Sequence, residues 1–518
     1  MKLKKYALIS VWEKKGIAKF AKGLVKLGFN IVSSGGTAKF LKKSGIKVTE
    51  VAKITKYPHM LGGRVKTLHP LIHGGILADR TNPDHLKDIA KFKINPFDVV
   101  VCNLYPFEHV ISKKNFTHEE AIENIDIGGP SMVRGAAKNY KNVAIVVDPE
   151  DYSKILGELK TTGAISFATK EGLALKAYKH TAEYDALIVK YLSSSTKDEA
   201  EFGEKMEIHL EKMQDLRYGE NPHQRGALYR QEGARTEGAI TGAVQLHGKE
   251  LSFNNIVDME SAWNVVCYFA DPTIAIVKHN NPCGVAKSTT LLDAYLKAYA
   301  CDMVSAFGGI VAANKRMDEN TAREIAKLFV EVVIAPGYTP AALSILKEKQ
   351  NIRIMEMDEN APKHPFKGLD FKRISGGFLV QDMDTAQLGI NDIKVATKRE
   401  PTLAEMDDLF FAWGVAKYVK SNAIVFVKNG RTVGIGAGQM SRIDSAEIAI
   451  RKGGEHISGS VMASDAFFPF SDVVELAAKN GVVAIAQPGG SKRDQESIDA
   501  ADKNDMTMVF TGRRHFRH

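Results

Sequence analysis

Cysteine is scarce in this 518-residue chain: Cys102, Cys267, Cys283 and Cys301 are widely spread and form no CxxC pair. That spacing excludes a disulfide framework and offers no structural zinc site. Long apolar runs are also missing, so no membrane span is expected, since a spanning helix needs about 20 apolar residues. The opening Met1-Lys2-Leu3-Lys4-Lys5-Tyr6 leads into a strand-like run too short and too polar for a secretion signal, and a cytoplasmic location is expected. A basic stripe with interleaved aromatics is absent as well. The net charge is +9, yet the lysines are scattered among acidic residues, and the one dense basic cluster is the tail Arg513-Arg514-His515-Phe516-Arg517-His518. Nucleic acid is therefore not an expected partner. Excess positive charge suits small anionic substrates through electrostatic steering.

What is present is ordinary globular composition, 44% hydrophobic and 25% charged. A chain of this length exceeds the usual single-domain ceiling, so two or more domains with sizeable cores are expected. The first 195 residues alternate strand and helix patterns, as an α/β sheet does: a strand over 6–11, an amphipathic helix over 17–27 and a strand over 29–32. The second strand runs into Ser33-Ser34-Gly35-Gly36-Thr37, where small residues let helix N-terminal N–H groups and hydroxyls approach a phosphate. The run has neither Walker nor dinucleotide spacing, and a plain Gly-rich turn is the competing reading.

Gly62-Gly63-Arg64-Val65-Lys66-Thr67-Leu68-His69-Pro70 reads as a loop over a site. The strand Phe97 to Cys102 ends in Asn103-Leu104-Tyr105, and open α/β sheets place ligands beyond the carboxyl ends of their strands. Asp126 precedes a helix start with Gly128, Arg134, Lys138 and Asn139, where a plain helix cap is the competing role. A polar, turn-rich stretch around 193–205 reads as a linker, placing a domain boundary at 195/196.

Further on, Ile274-Ala275-Ile276-Val277 reads as a buried strand delivering Lys278-His279, while Asn280-Asn281-Pro282-Cys283-Gly284 is expected to leave the strand as a loop or helix entry. A cation beside an imidazole can supply charge stabilisation and proton transfer at a carbonyl; the bland alternative is a loop bonded to its own backbone. Two other patterns lead nowhere. Gly434-Ile435-Gly436-Ala437-Gly438 lacks dinucleotide spacing. Pro282-Cys283 lacks the second cysteine of a zinc deaminase, because position 286 is Ala.

Taken in order, Ser34-Gly35-Gly36-Thr37, Gly63 to Pro70, Cys102-Asn103-Leu104-Tyr105-Pro106-Phe107 and Asp126-Ile127-Gly128-Gly129 resemble the bifunctional purine-biosynthesis family. That family joins phosphoribosylaminoimidazolecarboxamide formyltransferase to IMP cyclohydrolase. The likeness continues through Leu216-Arg217-Tyr218 to Gln224, Lys278-His279, 302–312, 331–338, 420–425, 434–442 and 464–472, and covers essentially the whole chain. It implies an α/β protein: a methylglyoxal-synthase-like domain over 1–195, then a transformylase unit of two cytidine-deaminase-like subdomains over 196–518, without zinc.

For cyclisation the resemblance implies Lys66, Tyr105, Asp126 and Lys138 as the proton-handling set. Ser10, Lys14, Ser34, Gly35, Gly36, Thr37, Arg64, Thr67, Asn103 and Gly128 are the implied substrate contacts. One departure is Val11-Trp12-Glu13-Lys14-Lys15-Gly16, where the family has a Ser-Asp-Lys-Thr-Gly run. Trp12 offers no small hydroxyl, though Ser10 and Lys14 remain. For formyl transfer the implied roles are proton transfer by His279 and oxyanion stabilisation by Lys278 and Asn422. Arg217, Tyr218, Gly308, Glu331, Arg442 and Arg514 would contact nucleotide, and Phe467 and Asp472 the folate. The implied co-substrate is 10-formyltetrahydrofolate, the nucleotides are AICAR, its formylated form FAICAR, and IMP, no metal is required, and the assembly is a homodimer. Competing readings are a chain that keeps only the transformylase activity and a non-catalytic nucleotide or RNA binder on the same folds.

Overall fold

The computed structural model describes residues 4–57, 61, 64–113, 115–195, 202–360 and 368–518. The chain divides into two compact units, Met1–Met206 and Glu207–His518. The boundary expected at 195/196 follows the end of the helix Phe167–Ser195, and 196–201 lie outside the described residues.

In the first unit five strands, β1 Lys5–Val11, β2 Phe29–Ser33, β3 Val48–Glu50, β4 Val99–Asn103 and β5 Ala144–Val146, form one sheet in the order β3-β2-β1-β4-β5. Every pairing is parallel. Helices cover both faces, so the strands read as continuous apolar runs; Leu8 and Ile9, adjacent on β1, are both fully buried and enter different core clusters. The chain winds one way from β1 to β3 and returns to the other side of β1 with β4. The reversal leaves a crevice beyond the carboxyl ends of β1 and β4, the usual ligand position in such sheets.

The second unit carries two hairpins, β6 Leu210–Leu216 with β7 Gly226–Gln231 and β14 Leu369–Ile374 with β15 Gly377–Asp382, beside a twelve-stranded sheet. That sheet is built twice from one plan. Its first half comprises β8 Val244–His247, β9 Thr273–Lys278, β10 Asn281–Lys287, β11 Ile310–Ala313, β12 Val332–Ala335 and β13 Arg353–Glu356. Its second half comprises β16 Lys394–Val395, β17 Ile424–Lys428, β18 Arg431–Gly436, β19 Val461–Ser464, β20 Ala484–Gln487 and β21 Thr507–Phe510. The order β16-β21-β20-β19-β17-β18-β10-β9-β11-β12-β13-β8 is the same series read outward from the β10–β18 seam. Each half has a leading helix, Phe253–Cys267 or Leu403–Ala416, which opens on a capping box and buries a tryptophan, Trp263 or Trp413.

The segment after His279 departs from the expected loop. Asn281–Lys287 is a full strand, β10, at the centre of the sheet. The chain reverses within two residues, His279 (φ 54°) and Asn280 (φ 62°), while Lys278 and Asn281 pair across the turn. Such turns need left-handed backbone at both central positions, which Asn tolerates. Pro282 is accommodated because the register shifts between Pro282 and Gly284. Gly284 is required there, since a Cβ would overlap the Ala298 carbonyl oxygen of the helix Leu291–Tyr299.

Candidate active sites

At the first site, β1 ends in Ser10 and Val11, and the following backbone is tied to β4 by Asn103, whose Oδ1 accepts from the N–H groups of Trp12 (2.6 Å) and Glu13 (3.2 Å). Asn103 thus positions the departing loop. Thr37 does the same from the helix Gly35–Lys43: its hydroxyl donates to the Val11 carbonyl at 2.8 Å and accepts from the Val11 N–H at 3.1 Å. The Ser34 hydroxyl makes no cap bond to this helix, and Gly35 takes φ 55°, leaving a glycine-lined N-terminal turn. Lys14 folds back so that its ammonium donates to the carbonyls of Val11 and Trp12 (2.9 Å), and burial lowers its pKa. Trp12 itself points outward, 46% exposed.

Lys66 and Thr67 link this loop to the next. A Cβ on Gly35 would lie 3.5 Å from the Lys66 ammonium, and one on Gly128 would lie 3.1 Å from the Thr67 hydroxyl. Asp126 accepts the Gly129 N–H through Oδ1 at 2.8 Å, and its own N–H donates to the Tyr184 hydroxyl at 2.8 Å. Asp126 therefore performs the capping role as well as standing at the site. A Cβ on Gly129 would overlap the Asp126 carboxylate and also touch Leu104 at the end of β4, so this glycine is sterically required. Tyr105, half exposed, follows on the same strand end.

Two implied members stand apart. The helix Gly128–Lys138 begins beside Asp126 at the carboxyl edge of the sheet and runs back to deliver β5, so Lys138 sits at its far end, about 15 Å away at 1.5 Å per residue. Arg64 turns outward to an exposed ion pair with Glu123. Gly62 and Gly63 of the same motif lie outside the described residues.

The second site lies where the two halves of the large sheet meet. The antiparallel seam aligns Ala286 with Arg431, which brings the start of β10 beside the end of β18. The His279–Asn280 turn of one half thereby meets residues 420–422 and 437–439 of the other. Asn281 Oδ1 accepts from the Lys420 N–H at 2.9 Å, while Asn422 donates to the Gln439 carbonyl through both its backbone N–H (3.1 Å) and its Nδ2 (2.9 Å). A cavity of about 440 Å³ is lined by Lys278, His279, Asn281, Ser305, Gln439 and Lys452 among others. A second, of about 200 Å³, is lined by Glu220, Asn221, Asn254, Asp258, His279 and Asn280. His279 is common to both.

The Lys278 ammonium donates to the Phe307 carbonyl at 2.8 Å, and Gly308 follows at φ 73°. Glu331 adjoins Gly309 through its N–H (3.0 Å), but its carboxylate is ion-paired with the buried Arg353. Arg442 is also committed: it pairs with fully buried Asp465 and donates to the Ser464 hydroxyl and Phe467 carbonyl, each at 3.1 Å. Phe467 is partly exposed, and the exposed Asp472 opens the next helix, Asp472–Lys479. Arg217 lies over the Tyr218 ring at 5.5 Å, and the segment they begin reaches the His279 turn through Glu220 and Asn221. Arg514 is exposed over Phe516 at 4.4 Å.

Several residues here went unnoticed in the sequence. Asp258 accepts the N–H groups of His279 (3.2 Å) and Asn280 (2.7 Å); Ser261 donates to Asn280 Oδ1 at 3.1 Å and accepts from Arg517 at 3.3 Å. Lys452 pairs with Asp302 at 2.6 Å at the cavity wall. The available signal for Asp258 was the internal repeat: Asp258 and Trp263 match Asp408 and Trp413 at one constant offset, which Lys278 and Lys428 share.

Comparison with known proteins returns two family models, an AICARFT/IMPCHase bienzyme over residues 136–452 and an MGS-like domain over 16–131. A bifunctional purine biosynthesis protein PurH from Acetivibrio thermocellus is 52% identical over 514 residues, 99% of this chain and 100% of that protein. Proteins of the same name from Thermoanaerobacter sp. (strain X514), 53% identical over 99% of this chain and 100% of that protein, and from Bacillus cereus (strain B4264), 49% identical over 100% of both, match similarly.

Proposed function

Because this chain belongs to the AICARFT/IMPCHase bienzyme family, its activities are formyl transfer and IMP cyclohydrolysis in purine biosynthesis, and we propose how its residues divide that work between two sites. The formyl donor is a folate, and we assign it as 10-formyltetrahydrofolate. Formyl transfer belongs to 196–518 and cyclisation to 1–195, in a homodimer. The observation that carries the first assignment is the cavity at the seam, where Lys278 and His279 from one half face Gln439 and Lys452 from the other.

In the transformylase step the weakly nucleophilic amine of AICAR attacks the formyl carbon. The new C–N bond forms, the bond from that carbon to the folate nitrogen breaks, and the proton lost by the amine passes through His279 to the departing nitrogen. Negative charge that develops on the formyl oxygen is met by Lys278, whose ammonium has donors beyond the one given to Phe307, and by the Asn422 amide. Arg217 and Arg514 are exposed cations and Tyr218 an aromatic suited to the nucleotide; Phe467 offers a stacking face for the folate's pteridine. Glu331 and Arg442 support the site through Arg353 and Asp465, with part of the Glu331 acceptor and Arg442 donor capacity already taken.

In the cyclohydrolase step the carboxamide nitrogen of FAICAR attacks its own formyl carbon, and water leaves as the purine ring closes. The attack is intramolecular, so the protein needs chiefly to orient the two groups. Lys66, Tyr105 and Asp126 move the protons, and the backbone N–H groups of Ile127 and Gly128, next to Asp126, face the oxyanion. The glycine-lined turn at 34–37, with Ser10 and Thr67, receives the phosphate. Lys138, at the far end of its helix, takes no step in this scheme.

The test is an assay of purified protein with AICAR and 10-formyltetrahydrofolate. Release of tetrahydrofolate and appearance of IMP are the expected result; tight nucleotide binding without turnover would replace this reading with that of a non-catalytic binder.

A further inference from the structure

We propose that Asp258 is a positioning residue for formyl transfer, its carboxylate holding the His279–Asn280 turn in the left-handed conformation that sets the imidazole at the cavity; this rests on the role given to His279 above. The case comes from the second copy of the same hairpin. In β17–β18 the turn is Asn429 (φ 55°) and Gly430 (φ 68°), the residue pair that such a turn favours most. In β9–β10, His stands where the copy has Asn, and Asn stands where the copy has Gly. Both substitutions run against backbone preference, and non-glycine residues held left-handed cost of order 1–3 kcal/mol each.

The leading helix of each half answers with one carboxylate. Asp408 accepts from the N–H groups of Asn429 and Gly430, both at 2.7 Å. Asp258 accepts from those of His279 at 3.2 Å and Asn280 at 2.7 Å. At the Asn-Gly turn this clamp supports a conformation the residues already prefer. At the His-Asn turn it opposes the preference, and the structure adds further ties: Asn281 Nδ2 donates to the His279 carbonyl at 3.2 Å, and Ser261 holds Asn280 Oδ1. The copy turn lies at the other end of the β10–β18 seam, where Gly430 sits beside Lys287, seven residues from Asn280 and about 23 Å away at 3.3 Å per residue, so it is a matched control outside the site.

The experiment measures both half-reactions in Asp258→Ala, Asp408→Ala and the double variant Asp258→Ala/Asn280→Gly of the full-length enzyme. Asp258→Ala should lower kcat for formyl transfer by about 10²-fold, the scale of a 1 Å misplacement, with the nucleotide KM nearly constant and cyclisation of supplied FAICAR unchanged. Asp408→Ala should lower the Tm yet leave formyl-transfer kinetics intact. Adding Asn280→Gly should recover part of the lost kcat, because glycine occupies the left-handed region without steric cost. An unchanged kcat in Asp258→Ala, equal kcat losses in the two alanine variants, or no recovery in the double variant would each overturn the proposal. If Asp258→Ala fails to fold, Asp258→Asn against Asp408→Asn makes the same comparison with one acceptor oxygen kept. Failure of the unsubstituted enzyme to release tetrahydrofolate would instead remove the underlying reading of His279.

Discussion

The two sites differ in how much of their polarity is buried. The first is assembled from loops at the carboxyl edge of a parallel sheet, with its cations near the surface: Arg64 and Glu123 form an ion pair whose side chains are 71% and 61% exposed. The second sits on a seam between duplicated half-sheets and is braced by Arg442 and Asp465, 8% and 0% exposed. The difference matches the chemistry. Ring closure brings together two groups of one molecule, so a shaped crevice with a few proton-handling groups suffices. Formyl transfer must align two large substrates and a weak nucleophile, and at the site proposed for it an internally paired framework holds groups from the two halves of the large sheet.

The largest expected effect that separates the sites is chemical. Lys66→Ala should reduce cyclisation of FAICAR by roughly 10²–10⁴-fold, the usual range of general acid–base catalysis, while formyl transfer continues and FAICAR accumulates. Next is stability. Asp465→Ala leaves Arg442 buried without its partner and should cost about 3–5 kcal/mol in denaturant unfolding of the second unit. Removing the exposed partner Glu123 should cost no more than about 1 kcal/mol. Comparable losses for the two would erase the contrast.

Gly129→Ala gives a smaller change confined to the first site. The added methyl must push the Asp126 carboxylate or Leu104 aside, an overpacking cost of about 1–3 kcal/mol, and cyclisation should fall while formyl transfer holds.

The smallest effect concerns acid. Burial alone would raise the Asp384 carboxyl, but His515 and Lys417 beside it hold it at about 2. A folded value below the unfolded one, about 3.9, contributes stability that is full above pH 4 and lost as pH falls toward 2. The tail should therefore loosen in that window, read as faster amide exchange at His515, whose N–H bonds the Asp465 carbonyl. Exchange that is flat across it would deny Asp384 this role.

The legible parts of the molecule were those written in local order. The parallel first sheet followed from buried apolar runs, and the motifs at 34–37, 66–70, 103–105 and 126–129 converge at one crevice because each follows a strand end or precedes a helix. What local order could not show was pairing. Asn281-Pro282 looks like the end of a strand, yet the register shift at Gly284 lets the chain turn back as β10. Arg64, Glu331 and Arg442 all carry the right charge for a phosphate or amine, but their partners Glu123, Arg353 and Asp465 lie far along the sequence. Lys138 closes the helix that Asp126 precedes, ten residues beyond its start at Gly128. Asp258 was visible only by laying one half of the repeat over the other.

The most direct test of two independent sites is His279→Ala, assayed separately for each half-reaction. The account predicts loss of tetrahydrofolate release from AICAR and 10-formyltetrahydrofolate, with supplied FAICAR still converted to IMP at the unsubstituted rate. Loss of both reactions in a folded variant, or formyl transfer at full rate, would contradict it.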